Sequence, residues 1–457
     1  MHRKREGQVR WSATRTALVA LLTGTLPACN ILDVENPNNV TEESLTDASV
    51  ANALASGALA RTALGVSNVT LANATASDEI IWIGSRDAWQ QLDFGILLNP
   101  ENEFTDAAFI DISVGRWLAD EAVRRIEGYQ QAGTLKDPNI LARAYLYAAA
   151  VYTSIADMHQ DFVLTSDALD PVAPVGAANM STLYDQAIDY LTKALEITST
   201  GELGGTLYAM RARARHARGV WGKINPPGTI AANPLVSDAA AAADAEAALS
   251  RVQPDFKYQY QYSASSINNV MGDWVNERAE QTFGPAYTVN DVATPSKVLS
   301  IALKDPITNA PAPAFAAVMK EFQDGGVYAP YTVVSAREMH LIIAEHALAT
   351  GDAGAFTSAI NNLRALDGLT PFSGQVDAQT LLIHSRQANL FLQGKRLNDM
   401  YRFKLSTPAG VAPWHKGGGE WKSGSDAVAR PGTRLPISCR EWRSNPQVQT
   451  AYPNYSC

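Results

Sequence analysis

The sequence predicts a mainly α-helical fold, and three observations support this prediction. Several segments before residue 252 repeat apolar residues at helical spacing and alternate alanine with leucine or aromatic residues. Strand-like segments are few and short, and the clearest is KYQYQYSA at 257–264. A loop-rich stretch at 253–335 separates these helices from a second helical region. We therefore expect packed helix pairs combined with one large irregular lobe.

The first 28 residues resemble a bacterial lipoprotein signal peptide. A cationic start is followed by a ten-residue apolar run at 17–26, which is too short to span a bilayer. Leu26, Pro27 and Ala28 then lead into Cys29, as in a lipobox. We expect Cys29 to be lipidated, because two or more acyl chains give stable membrane anchoring. The alternative is an ordinary secretory signal in which Cys29 is incidental.

The charge of the chain argues against nucleic acid as a partner. The formal net charge is −9, and residues 1–28 contribute +4, so the remainder carries −13. Nucleic-acid recognition requires a basic face. A hydrophobic content of 46% is ample for a core.

The helices of the N-terminal part, at about 40–252, follow one pattern. Small alanines alternate with large side chains, which suits antiparallel helix pairs whose backbones approach closely. The pattern resembles tetratricopeptide repeats, although it lacks a strict 34-residue period. The predicted helices span 47–64, 109–131, 142–158, 183–197, 207–224 and 238–252.

Residues 253–335 are rich in Tyr, Pro, Asn and Gly and are predicted to be mostly loop, with a short strand pair near KYQYQYSA. A loop region of this length inside a compact domain is usually functional. We therefore expect it to form the ligand-binding lobe.

Helices are predicted to resume in the C-terminal part, at 336–457. Residues 335–366 form a helix hairpin that turns at Gly351 and Asp352. Residues 384–403 form one helix whose apolar stripe includes Gly394, where a missing side chain would admit a neighbouring helix. The segment TRLPISCREWRSNP follows at 433–446.

These C-terminal segments resemble, in order, four motifs of the RagB/SusD family of outer-membrane nutrient-binding lipoproteins. The matching residues are Glu338, Met339, Leu341, Ile342, Ala344 and Glu345; Ile360, Asn361, Leu363 and Arg364; Arg386, Leu390, Gly394, Arg396, Asp399 and Arg402; and Leu435, Pro436, Ile437, Glu441, Asn445 and Pro446. The chain departs from the family at Ser385, Asn389 and Gln393, where Glu is usual, and at Ser438, where Pro is usual.

The resemblance implies a single SusD-like domain at 29–457, with four tetratricopeptide-like helix pairs and a large irregular lobe. It also implies a surface-exposed lipoprotein of the bacterial outer membrane. Such a protein would bind a glycan or another nutrient oligomer and deliver it to a SusC-like TonB-dependent transporter. Neither enzymatic activity nor a cofactor is expected.

Sugars stack their apolar faces on aromatic rings, and their hydroxyls bind amides and charged groups. Two segments, 77–95 and 268–287, carry such residues where family members commonly contact ligand. The alternative for the tryptophans is burial in the core, above all where isoleucines flank them at 80–83. The candidate ligand contacts are Trp82, Trp89, Trp274, Asn276, Arg278 and Tyr287.

Metal binding has weaker support from the sequence. His340 and His346 are six residues apart and would diverge on a helix, so no zinc site is expected. DMHQD at 157–161 could hold a cation in an extended loop, but such a run more often solvates a helix end.

The two remaining cysteines, Cys439 and Cys457, could close a disulfide loop in an exported protein, or stay as free thiols. The competing function is a helical-repeat scaffold that binds peptides or proteins at the cell surface.

Overall fold

Helices dominate the part of the chain that the structure describes. The computed structural model describes residues 44–166, 171–289, 300–403 and 421–457. Ser44–Thr46 form a short 3-10 turn, and the described residues from Asp47 to Cys457 form one compact unit. The prediction of a mainly α fold is confirmed.

The helices that precede residue 250 are α1 Ala51–Ala76, α2 Asp87–Asp93, α3 Glu103–Gln131, α4 Asn139–Met158, α5 Thr182–Ile197, α6 Gly201–Ile224 and α7 Ala239–Leu249. Those that follow are α8 Val270–Gly272, α9 Pro313–Gly325, α10 Ala336–Thr350, α11 Ala353–Ala365, α12 Ala378–Asn389, α13 Arg396–Arg402, α14 Asp426–Ala429, α15 Cys439–Ser444 and α16 Pro446–Ala451.

The strands form antiparallel pairs of two. They are β1 Ile80–Trp82, β2 Lys257–Tyr260, β3 Gln281–Phe283, β4 Thr288–Val289, β5 Ser300–Ile301 and β6 Tyr331–Ser335. β1 pairs with β3, β2 with β6, and β4 with β5. The segment KYQYQYSA therefore supplies one strand, β2, whose partner lies more than 70 residues away instead of in a local strand pair.

The long helices pack as pairs, as the alternation of small and large residues predicted. α1 packs on α3, α4 on α5, α6 on α7, and α10 on α11. Glycines permit the closest approach between α1 and α3. A Cβ added to Gly65 would lie 2.6 Å from the Ile112 Cα, and one added to Gly115 would lie 2.9 Å from the Arg61 carbonyl oxygen. Any larger residue would force these helices apart.

Helix α1 continues twelve residues beyond its predicted end at residue 64. Its C-terminal part is buried on all sides, and this part includes polar residues such as Thr70 and Asn73. Those polar and β-branched residues weaken the local helix signal. Packing against several neighbours stabilises the helix in spite of this weak propensity.

Helix α9 lies inside the region predicted to be mostly loop. Pro313 occupies its first turn, and its buried residues Phe315, Met319 and Phe322 follow helical spacing. The prediction missed it because the surrounding Pro and Gly residues dominate the composition.

The predicted helix at 384–403 is wrong as one element, because a turn separates α12 from α13. Leu392 and Gly394 have φ values of +58° and +68° in that turn, and neither conformation is helical. A Cβ on Gly394 would lie 3.1 Å from the Met158 Cε of α4. A neighbouring helix does approach this glycine, but it approaches a turn and not a helix face.

The motif residues of α10, α12 and α13 form a buried ionic cluster. Glu345 is fully buried and accepts hydrogen bonds from Arg402 and, at 2.9 Å, from the His216 ring. Asp399 accepts from Arg386 at 2.8 Å and from Arg402 at 2.9 Å. Burial alone would raise the pKa of Glu345, but Arg402 and His216 hold it well below its usual range.

Two of the departures from the family pattern keep a hydrogen-bonding role. Asn389 Oδ1 accepts from Arg337 at 2.9 Å, and Gln393 Oε1 accepts from Arg213 at 3.1 Å. The amide oxygens therefore receive arginine donors without adding a buried charge. Ser438, at the position of the usual Pro, caps α15 by accepting from the Glu441 N–H at 3.2 Å.

Candidate functional site

The turn between α12 and α13, together with the first residue of α13, anchors the strand that leads to the candidate site. Arg396 donates two hydrogen bonds of 2.7 Å to Asp78, immediately before β1. The Leu392 N–H donates to the Glu79 carboxyl at 2.8 Å. Burial raises the pKa of Glu79 to about 8, so this carboxyl is mostly protonated at neutral pH. The C-terminal motif thus fixes the position of the two residues that precede β1.

Strand pairing brings the two predicted ligand segments together. In the β1–β3 ladder Trp82 lies opposite Gln281 and Ile80 opposite Phe283. The loop after β1 and the turn before β3 therefore leave the ladder at the same end. We call the surface formed by residues 83–87 and 273–280 the paired-loop surface; it includes one π-helical turn, Asp273–Glu277, and the first residue of α2, Asp87.

Glu280 connects the two halves of the paired-loop surface. Its carboxylate accepts from the Ser85 N–H at 2.6 Å, from the Ser85 hydroxyl at 2.8 Å and from the Arg86 N–H at 3.2 Å. Partial desolvation opposes ionisation, but these hydrogen bonds outweigh it and lower the pKa of Glu280. The loop is therefore held by an ionised acid at neutral pH.

Trp274 and Arg278 lie on the other half. Arg278 donates to Asp273 at 2.8 Å, and its guanidinium stacks on the Trp274 ring at 4.5 Å from the ring centroid. Asn276 Nδ2 donates to the carbonyls of Phe322 and Gly326, which ties the turn to α9. This arrangement places the exposed guanidinium of Arg278 over one face of the half-buried indole.

An aromatic cluster supports Trp274 from below. Trp89 and Phe104 stack with ring centroids 3.8 Å apart, and the Trp274 ring meets both edge-on at 5.5 and 4.9 Å. Trp89 is completely buried. The cluster therefore restricts the position of Trp274.

The structure separates the six predicted ligand contacts into two groups. Trp82, Trp274 and Asn276 are half-buried on or beside the paired-loop surface, and Arg278 is exposed there. Trp89 and Tyr287 are both fully buried. Tyr287 packs against Phe391 and Phe315 in the core. We therefore leave Trp89 and Tyr287 out of the proposed ligand site, since a surface ligand cannot contact them.

Sequence reasoning missed Ser85 and Glu280 as site residues. No local motif marks either residue, because the contact between them joins positions 195 residues apart. Arg86 and Asp87 are exposed where the loop that contains Ser85 leads into α2. Both residues belong to the segment 77–95, which the sequence had already indicated as one of the two ligand-binding segments.

The residues of DMHQD have separate partners. Asp157 accepts from Tyr184 at 2.7 Å and from Lys395 at 2.5 Å. His159 is fully buried, which lowers its pKa to about 4, and Asp161 accepts from Tyr452 and from two backbone N–H groups. The segment is therefore buried and does not solvate the end of α4. Within the described ranges no group of three or more His, Cys, Asp or Glu could hold a metal ion.

The structure describes two of the three cysteines. Cys439 and Cys457 are joined in a disulfide with a Cα–Cα distance of 5.6 Å. Cys29 lies outside the described residues. None of the helices in the described ranges is long and apolar enough to cross a membrane.

Comparison with known proteins supports the fold through structure alone. No family model matches the sequence, and no curated protein matches it. A SusD superfamily protein from Bacteroides vulgatus superposes with a TM-score of 0.59 at 13% identity, covering 88% of this chain and 98% of that one.

Two further solved structures agree. A SusD superfamily protein from Parabacteroides distasonis gives a TM-score of 0.58 at 14% identity over 90% of this chain and 99% of its own. A SusD-like carbohydrate binding protein from Bacteroides vulgatus gives 0.53 at 12% identity over 78% of this chain and 84% of its own. The predicted SusD-like fold is therefore confirmed.

Proposed function

We propose that this protein binds uncharged oligosaccharides at the paired-loop surface without catalysing a reaction. The observation that carries the proposal is the Arg278–Trp274 stack on a loop surface of a SusD-like fold. One structural neighbour is itself a carbohydrate binding protein. Pyranose rings pack on flat aromatic and guanidinium groups, and their hydroxyls pair with the carboxylates and backbone groups nearby.

The charges of the surface favour a neutral ligand. Arg278 is paired with Asp273, and Arg86 lies 3.5 Å from Glu103. An anionic glycan would have to displace one of these carboxylates. A hydroxylated neutral ligand can accept from the guanidinium and donate to the carboxylate of the same pair.

We further propose that lipidated Cys29 attaches the protein to the outer surface of a bacterial outer membrane. There it would deliver its ligand, a glycan or another nutrient oligomer, to a SusC-like TonB-dependent transporter. The lipobox-like run before Cys29 and the SusD-like fold support this placement. The net charge of −13 beyond residue 28 argues against a nucleic-acid partner.

The binding proposal is tested by calorimetric titration with cellohexaose, xylohexaose, mannohexaose and maltohexaose. For any hexasaccharide that binds, Trp274→Ala should weaken the affinity by about tenfold, because an aromatic stacking partner is lost. Arg278→Ala should weaken it as well.

Each variant has a matched control. Trp221 is also a half-buried tryptophan packed on the core, and Arg218 is also an exposed arginine paired with an aspartate. Trp221→Ala and Arg218→Ala should leave the affinity unchanged. Equal losses in test and control variants, or no change in either test variant, would contradict the proposed site.

A further inference from the structure

An open cavity of about 460 Å³ lies against the middle of α3. Its described lining is Arg116, Trp117, Asp120, Glu121, Arg124 and Ser166. Trp117 is 40% exposed, more than any other tryptophan in the described ranges. The structure turns its ring toward solvent. The volume is within the range of small-molecule sites.

The indole ring of Trp117 is held in place. Its Nε1–H donates to the Ser166 carbonyl at 2.9 Å. The neighbouring Arg116 donates to the Thr165 carbonyl at 2.5 Å and to Asp120 at 3.1 Å. A ring fixed by hydrogen bonding loses little entropy when a ligand stacks on it.

The charges that line the cavity are already paired. Asp120 accepts from the hydroxyls of Tyr152 and Tyr190 as well as from Arg116. Glu121 accepts from Arg124 at 2.6 and 2.8 Å. The two arginines and two acids of the lining are paired with each other, and Arg125 also donates to Glu121 at 2.5 Å. A phosphate or an acidic ligand would have to compete with these carboxylates for the arginines. The cavity offers fixed donors and acceptors beside an apolar ring, which suits a neutral polyhydroxylated ring.

The cavity is separate from the paired-loop surface. The aromatic cluster under Trp274 uses Phe104, in the first turn of α3. Trp117 lies thirteen residues further along the helix, which corresponds to roughly 20 Å at 1.5 Å per residue.

We propose that the Trp117 cavity is a second sugar-binding site on the helical face of the protein. It would bind one pyranose unit of a neutral oligosaccharide by stacking on the indole. The ligand class rests on the proposed function, but binding at this site does not require the paired-loop surface to bind.

The test is ¹⁹F NMR of the protein labelled with 5-fluorotryptophan, titrated with the same four hexasaccharides. Trp117→Phe and Trp274→Phe assign the two signals by their disappearance. At least one hexasaccharide should shift the Trp117 signal. The shift should persist in Trp274→Ala with a half-saturation concentration within about twofold of the unsubstituted protein.

The outcomes separate the two sites. If the Trp274 signal shifts and the Trp117 signal does not, the second site is wrong and the proposed function stands. If the Trp117 shift disappears in Trp274→Ala, the second site is also wrong, because sugar binding at the paired-loop surface then caused the shift of the Trp117 signal. If only the Trp117 signal shifts, the second site stands and the paired-loop site fails.

Two remaining outcomes overturn the inference. If no signal shifts with any hexasaccharide, both sites fail. A tryptic digest of casein provides the comparison for peptides. If it shifts the Trp117 signal and the sugars do not, the cavity binds peptides, as the helical-repeat scaffold would require.

Discussion

Glu79 is a buried acid, and its protonation should make the free energy of unfolding depend on pH. Its pKa is about 8 in the folded state because burial disfavours the charged form, against about 4.5 in an unfolded chain. Between these pH values the folded state binds a proton that the unfolded state has released. The free energy of unfolding should therefore fall as the pH rises from 4.5 to 8, by up to about 1.4 kcal/mol per pH unit from this group.

Glu79→Gln tests this prediction, because the amide keeps an acceptor for the Leu392 N–H but cannot ionise. Urea unfolding at pH 5, 6, 7 and 8 should show the variant gaining stability relative to the unsubstituted protein as the pH rises. A stability difference that stays constant over this range would mean that Glu79 does not ionise there.

Individual tryptophans show where prediction from the sequence fails. Trp89 and Trp117 both lie in segments that mix apolar and charged residues, yet one is fully buried and the other is the most exposed of the described tryptophans. The Trp89 ring contacts Phe104, which belongs to the next long helix, and Trp274, which is far away in the sequence. Local patterns do not contain those contacts, so they cannot assign the exposure of a single ring.

At the scale of elements, helices α10 and α13 are joined by Glu345 and Arg402. Both side chains are fully buried, and Asp399 shares the same arginine. Glu345→Gln would leave Arg402 and Arg386 with less negative charge in a fully buried site. We expect it to lower the free energy of unfolding by about 3–5 kcal/mol, as measured by urea denaturation.

Glu321→Gln is the matched control, because Glu321 is a partly exposed acid that pairs with Lys257. Exposed pairs contribute about 0–1 kcal/mol, so the control should unfold near the midpoint of the unsubstituted protein. Similar losses in both variants would indicate that the buried cluster contributes no more than a surface pair.

The elements with regular periodicity were predicted well. α3 to α7 and the α10–α11 hairpin overlap their predicted spans, and Gly351 ends α10 with a φ of +79° in the left-handed conformation. The predictions failed where tertiary contacts override local pattern. The turn at Leu392 and Gly394 is one such place, since its conformation depends on Glu79 and Met158.

At the scale of the whole molecule, the C-terminal motifs predicted the fold because their residues contact each other. Glu345 with Arg402, Arg386 with Asp399, and Arg396 with Asp78 join helices to the start of β1. A few charged residues of these motifs are therefore enough to predict how the helices of the domain pack. The binding surface has no such motif, since its contacts, such as Glu280 with Ser85 and Trp274 with Trp89, join segments that are far apart in the sequence.

Membrane attachment is also a prediction about the whole molecule. If Cys29 carries lipid, Cys29→Ser should move the protein from the membrane fraction to the soluble fraction, because the acyl chains supply the attachment. Immunoblotting of fractionated cells measures this. Cys457→Ser is a cysteine control that should remain with the membrane. Continued membrane association of Cys29→Ser would contradict lipid anchoring.

We propose that the main oligosaccharide site is the paired-loop surface and not the face of the long helix pairs. Hydrogen–deuterium exchange mass spectrometry, with and without a saturating hexasaccharide, is the most direct test of this site. Peptides covering 83–87 and 273–280 should exchange more slowly when the sugar is bound. If the sugar binds and the exchange of both segments is unchanged, the paired-loop surface is not the main binding site.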